Sequence, residues 1–210
     1  MGKGDEMARN NKTVDRIQAV WNILGGEEGV DRLINGGITV SESEHKWHEE
    51  NGVIYFTVIS DGTTGQGWIE RLEQKGFRVG GYDKSVLHSP DFKPTNGVTT
   101  KIAVLKGSLF SDNDRITRKI RAKAEGRNLT TPNAEIACLI REKFSDEEMI
   151  KEMDFYWIVA MHESIKDSDG SSSLLGVGRY GGSYWLDAYC GDPGYGWDLE
   201  TGFAFVVSQV

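Results

Sequence analysis

Only four prolines and two cysteines occur in the 210 residues of this chain, and basic residues are outnumbered by acidic ones, 24 to 32. Cys138 and Cys190 cannot build a disulfide framework, and neither belongs to a Cys-x-x-Cys pair; a single bridge is the alternative, but their segments look unrelated and two reduced thiols are expected. No apolar run approaches the ~20 residues of a membrane-spanning helix. The first residues, Met1-Gly2-Lys3-Gly4-Asp5-Glu6, hold no apolar signal-peptide core, and Glu6 stands where a myristoylation motif wants Ser or Thr. A cytoplasmic protein is therefore the expectation, unless another route brings it to a cell surface or virion. The net charge of −8 argues against nucleic acid as the main partner. What the chain has in plenty is glycine, 26 residues unevenly placed. Its 38% hydrophobic and 27% charged content suits a soluble globular protein able to bury a real core.

Along the chain, Val14, Ile17, Val20, Trp21 and Leu24 follow helical spacing and stop at Gly25-Gly26, and a shorter helical piece spans Val30 to Ile34. Residues 53–59 read as a buried strand closed by Ser60-Asp61-Gly62. Trp68, Ile69 and Leu72 place an amphipathic helix ending at Gly76. The stretch 80–97, with Pro90, Pro94 and three glycines, reads as a loop. A strand-like run follows over 98–110, then a basic helix over 112–127 and a helix after Pro132. Ser145 to Glu148 has capping-box spacing. Residues 155–161, 174–177, 184–186 and 202–207 read as strands, with a turn at Asp167-Ser168-Asp169-Gly170. Helices in the first two thirds and hairpin-linked antiparallel strands in the last third predict an α+β fold.

Conventional chemistry finds little support. His45-x-x-His48 lacks a third spaced metal ligand, and Asp167-x-Asp169-Gly170 lacks the later ligands of a calcium loop. Cys190 has no histidine at a telling spacing, and Cys138 sits on an apolar helix face. There is no nucleophile elbow and no phosphate-binding loop; Gly176-x-Gly178 precedes no helix. Neither a catalytic residue nor a metal or other cofactor is expected. The six basic residues Arg115, Arg118, Lys119, Arg121, Lys123 and Arg127 offer a phosphate-contacting face or, with Asp112, Asp114 and Glu125 among them, a solvated one.

One segment stands apart. Residues 176–202 hold eight of the 26 glycines, four of the seven tyrosines and two of the six tryptophans. Tyrosine offers a wide, rigid, amphipathic contact, glycine and serine let a loop fit, and aspartate adds directional acceptors. A recognition surface and a glycine-rich hairpin with a satellite core both fit that composition.

Leu174-Leu175-Gly176-Val177-Gly178-Arg179, Trp185-Leu186, Pro193, Trp197 and the run from Gly202 to Ser208 resemble the C-termini of variable proteins of diversity-generating retroelements. The likeness extends upstream through 132–144 and 155–169, and less fully to Val53. It implies a C-type-lectin-like fold, shared with formylglycine-generating enzymes, over residues 52–210; the helical segment expected over 1–51 is not explained by that fold. It further implies a surface rewritten by a reverse transcriptase that mutates template adenines. Mutating the adenines of an Asn codon reaches every codon ending in a pyrimidine, and within 179–202 only Trp185, Trp197 and Glu200 fall outside that set. Trp185, Pro193, Trp197, Phe203 and Phe205 are then expected as scaffold. The ligand-facing candidates are Tyr180, Gly182, Tyr184, Asp187, Tyr189, Cys190, Asp192, Gly194, Tyr195, Asp198 and Thr201. Strand alternation puts Trp185, Asp187 and Tyr189 on one face and Leu186 and Ala188 on the other. The expected function is non-enzymatic binding of a protein or other macromolecular ligand; an enzyme on the same fold and a nucleic-acid-associated protein using residues 115–127 are the alternatives.

Overall fold

The computed structural model describes residues 17, 18, 20–22, 24–37 and 46–208, apart from the side chain of Tyr180. Val14 and His45, invoked above, lie outside them. The chain divides into two units, residues 1–45 and Lys46–Val210. In the first, helix α1 spans Glu27–Ile34 and ends at Asn35, with Gly36 turning the chain at φ 74°.

In the second unit the elements run β1 (His48–Glu50), β2 (Val53–Asp61), α2 (Gly65–Gln74), β3 (Arg78–Val79), α3 (Gly81–His88) and β4 (Asn96–Lys106). Then follow α4 (Thr117–Glu125), β5 (Leu129–Thr130), α5 (Glu135–Lys143), β6 (Trp157–Ala160), β7 (Ile165–Lys166), β8 (Ser172–Tyr180), β9 (Ser183–Cys190) and β10 (Thr201–Val207). One sheet carries all ten strands of the described residues in the order β1-β2-β4-β10-β6-β8-β9-β3, with β5 beside β10 and β7 beside β8. The fold is α+β. The expectation that strands gather in the C-terminal third is corrected: β2 and β4 are long strands, and β4 pairs directly with the C-terminal β10. Nor is the sheet purely antiparallel, because β10–β6 and β3–β9 are parallel.

Side-chain alternation builds a core on each face. On one, Trp68 and Leu72 of α2, Val86 of α3 and Ile136 and Ile140 of α5 pack against Ile54, Ile102, Ile158, Val177 and Leu186. On the other, Ile120 and Ala124 of α4 join Phe110 and Trp197 over Leu105, Val159, Leu174, Phe203 and Phe205. Burial on both faces explains the apolar start of β2, Val53 to Phe56, while from Thr57 onward the strand alternates, with Thr57 and Ile59 exposed.

The reading of 80–97 as a loop is also corrected. Gly80, Gly81 and Pro90 suggest turns, but α3 occupies 81–88, and Asp83 Oδ2 accepts the Gly80 N–H at 2.6 Å as a helix start requires. The box at Ser145 is realised: Glu148 N–H donates to Ser145 Oγ at 3.2 Å, and Ser145 N–H to Glu148 Oε2 at 2.9 Å. Among the described residues no helix is long and apolar enough to cross a membrane.

Candidate functional site

The β8–β9 hairpin turns on Gly181 and Gly182, both at positive φ (56° and 79°), the geometry of a tight two-residue turn. Gly182 is thus confined by its backbone, since a side chain there is strained. Across the sheet, Trp157 of β6, Gly178 of β8 and Trp185 of β9 lie in one register row. A Cβ at Gly178 would stand 2.0 Å from Trp157 Cε3, so the bare strand is what lets the indole lie over it. Two residues along, Gly176 does the same for Tyr189, whose ring would be 2.8 Å from an added Cβ. The Gly176-x-Gly178 spacing is therefore a bed for two rings.

Those rings continue into the loop after β9. Tyr189 meets Trp157 and Trp197 at centroid distances of 5.9 Å each, and Trp197 meets Tyr195 at 4.8 Å and Phe203 at 5.8 Å. Trp197 is buried, and its Nε1–H donates to Thr117 Oγ1 at 3.0 Å. Phe203 and Phe205 are buried in the same core. Trp185 is half-exposed, with the Arg78 guanidinium 5.4 Å from its ring centroid. It thus lies on the face predicted by alternation while edging the surface.

The loop 191–200 is held by its main chain. Helix α4 begins at Thr117, after Ile116, whose side chain cannot cap it, leaving the first N–H groups in need of acceptors. The loop supplies them: Thr117 N–H donates to Tyr195 O at 3.1 Å and Arg118 N–H to Pro193 O at 2.9 Å. Trp197 N–H returns a bond to Arg115 O at 2.9 Å, and Ile116 and Gly196 form an isolated bridge. None of these bonds uses a side chain of the loop.

The candidates accordingly separate. Asp192, Gly194, Tyr195 and Asp198 lie exposed on the anchored loop. Tyr184 is exposed but points to the opposite face of β9 from Asp187 and Tyr189, with the Arg179 guanidinium 5.9 Å from its ring. Tyr180 ends β8 opposite Ser183. Tyr189, Cys190 and Asp192 line a cleft of about 510 Å³ with Tyr82, Lys166, Asp167, Asp169, Ala188 and the serines 171–173. Asp187 is half-buried, which raises its carboxyl above the usual range. Two candidates are corrected as outward-facing groups. Thr201 is 2% exposed, because it starts β10 in register with Trp157 on the ring-covered face. Tyr189 packs into the core, its hydroxyl buried without a hydrogen-bond partner and its ionisation pushed upward by that burial.

Of the basic residues of 115–127, Arg115, Arg121 and Lys123 are turned into the molecule, while Arg118, Lys119 and Arg127 are exposed. Arg115, 7% exposed, donates to Gly107 O, Phe110 O and Trp197 O and pairs with Asp112. Arg121 donates to His162 O, Lys119 pairs with Asp114, and Lys123 donates to Leu109 O above the Phe110 ring. Among the described residues no group of three or more His, Cys, Asp or Glu could hold a metal ion. Cys138 and Cys190 are free thiols, and burial pushes that of Cys138 up. Asp167 accepts the Asp169 and Ser171 N–H groups through Oδ1, each at 3.0 Å, so the Asp-Gly segment is a side-chain-stapled turn.

His162 is a buried contact missed from sequence. Nδ1 meets Glu163 O at 2.6 Å, and Nε2 accepts the Leu175 N–H at 2.8 Å, which requires a neutral ring with its proton on Nδ1. Burial lowers its pKa from 6.5 to about 4. Because the folded value is depressed, the contribution is present above pH 6.5 and lost as pH falls toward 4. Urea titrations should show the native chain losing on the order of 3 kcal/mol more than H162Q across that window. Equal losses would assign the acid sensitivity to other groups.

Comparison of the chain with protein-family models, with curated proteins and with solved structures finds no match.

Proposed function

We propose that this chain is a non-enzymatic binding protein that displays exchangeable side chains on a fixed frame, its ligand a protein or other macromolecule. The observation that carries the reading is the main-chain anchoring of the loop 191–200 to α4. Asp192, Gly194, Tyr195 and Asp198 are exposed and give no side-chain hydrogen bond to that anchor, the Tyr195 ring adding only an edge contact to Trp197 at 4.8 Å, so these positions can change while Trp197, Phe203 and Phe205 keep the core. From Tyr184 to Cys190, β9 alone spans roughly 20 Å, the reach of a macromolecular contact rather than of a small-molecule site. The resemblance of 174–208 to retroelement variable proteins adds the source of the variation, a reverse transcriptase acting on adenines in the template of 179–202. In this reading lectin-like names a shape, with no sugar or calcium implied.

Joint replacement of Tyr184, Asp192, Tyr195 and Asp198 by Ala should lower the Tm by no more than about 4 °C, as exposed substitutions do. A library randomised at 192, 194, 195 and 198 and sorted for protease resistance should retain most members. A library that largely unfolds would sink the reading. The genomic counterpart is a near-copy of codons 179–202 differing only at adenines, beside a reverse-transcriptase gene; without it the diversification part fails and the binding part must stand alone.

A further inference from the structure

Four aromatic rings meet where β6, β9 and the anchored loop come together. Trp157 and Tyr189 have ring centroids 5.9 Å apart at 67°, Tyr189 and Trp197 5.9 Å apart at 51°, and Tyr195 and Trp197 4.8 Å apart at 78°. Rings inclined so steeply stand as walls and do not stack into a filled layer. All four line a partly open hollow of about 60 Å³, with Asp198 and Thr201 also in its lining.

This lining suits a positive charge. The faces of Trp and Tyr rings carry negative potential and attract a cation lying over them. Elsewhere in the chain such faces are taken, as Arg78 takes Trp185 and Lys101 takes Tyr55. Among the described residues no Lys or Arg lies over these four rings, and none pairs with the exposed Asp198 carboxylate. Tyr189 adds a phenol oxygen that is buried and without a hydrogen-bond partner. The net charge of −8 favours the approach of a cation. The larger cleft beside Cys190 differs, because its polar groups are committed to one another: Tyr82 to Asp169, Lys166 to Ser172 and Ser173 to Asp167.

The walls also select the kind of cation. A plain ammonium holds its water tightly through three N–H donors, and aromatic rings replace little of that water. A quaternary ammonium carries the same charge without those donors and presents methyl groups that pack on ring faces.

We propose that Trp157, Tyr189, Tyr195 and Trp197 form an aromatic cage for a quaternary ammonium group, with Asp198 as its counter-charge. Trp157 and Trp197 are fixed walls, whereas Tyr195 and Asp198 stand at exchangeable positions, so the preference belongs to this chain's own side chains. That the group is a trimethyllysine on a protein rests on the binding reading above; capture of the cation does not.

Calorimetric titration of the full chain tests the cage with defined probes. These are choline, its uncharged carbon isostere dimethylbutanol, and one short peptide with its lysine trimethylated or unmodified. Each methylated probe that binds should do so at least about tenfold more tightly than its counterpart. Tyr195→Ala and Asp198→Asn, both at exposed positions, should each weaken that binding about threefold or more without loss of the folded state. Tighter binding of the methylated peptide than of choline assigns the group to a protein; saturation by choline alone makes it a free head group. The proposal is overturned if neither methylated probe saturates the chain by about 10 mM. It is equally overturned by a counterpart that binds as well as its methylated probe, or by full affinity in both variants. If Tyr195→Ala does not fold, Asp198→Asn decides alone. Failure of the probes to bind leaves the randomised-library result untouched, and a library that unfolds leaves choline binding by the native chain standing, so the two readings fail separately.

Discussion

Trp197→Ala lowers the unfolding free energy by about 3–5 kcal/mol, the cost of deleting a core aromatic, and brings the Tm down by roughly 10 °C or more. The magnitude follows from what the indole touches. It stands among Tyr189, Tyr195 and Phe203, and its Nε1–H satisfies Thr117 Oγ1, itself in a residue only 2% exposed. Truncation opens a cavity under the loop and leaves a buried hydroxyl without its donor. Trp197→Phe, which fills most of the space but lacks the N–H, should cost less. Denaturant unfolding of both variants measures the split, and a Trp197→Ala loss below about 1 kcal/mol would show that the loop does not need the ring.

Gly178→Val abolishes cooperative folding or costs at least about 3 kcal/mol, whereas Gly194→Val in the same segment is near neutral. At Gly178 the first added carbon would be 2.0 Å from Trp157 Cε3 and 2.5 Å from Tyr156 O. A ring can turn aside, but the Tyr156 carbonyl, on the main chain immediately before β6, moves only if the strand moves with it. At Gly194 the nearest atom is Arg118 Nη1 at 3.6 Å, an ordinary contact. Urea melts of the two variants side by side check the contrast; equal stability would mean that the Trp157 ring does not rest on β8.

Much of the α+β character is legible in residue order, because strands such as 53–59 and helices such as 65–74 carry unbroken local patterns. Alternation in β9 was also readable, and it places Trp185, Asp187 and Tyr189 together. What residue order does not show is the neighbour across the sheet. The role of Gly176 and Gly178 depends on Trp157 and Tyr189, which are joined to them only by register. For the same reason Tyr189 looks like a contact residue in composition and packs as core. Helix α3 escapes because its glycines and Pro90 are turn signals at short range, while the acceptor that starts it, Asp83, is an acid among many. One of the two partners of β4, β10, is nearly a hundred residues away in sequence, and local patterns carry no information about such a pairing.

The capping of α4 by Pro193 O and Tyr195 O sets a rule about length. Both acceptors must reach successive N–H groups of one helix turn, and Trp197 must close on Arg115 two residues later. Substitutions between them leave that spacing intact, but inserting or deleting a single residue shifts every acceptor out of step and unseats the indole. Variation in this loop therefore proceeds by exchange of letters at constant count, and the shapes available to it are those that side chains alone can draw.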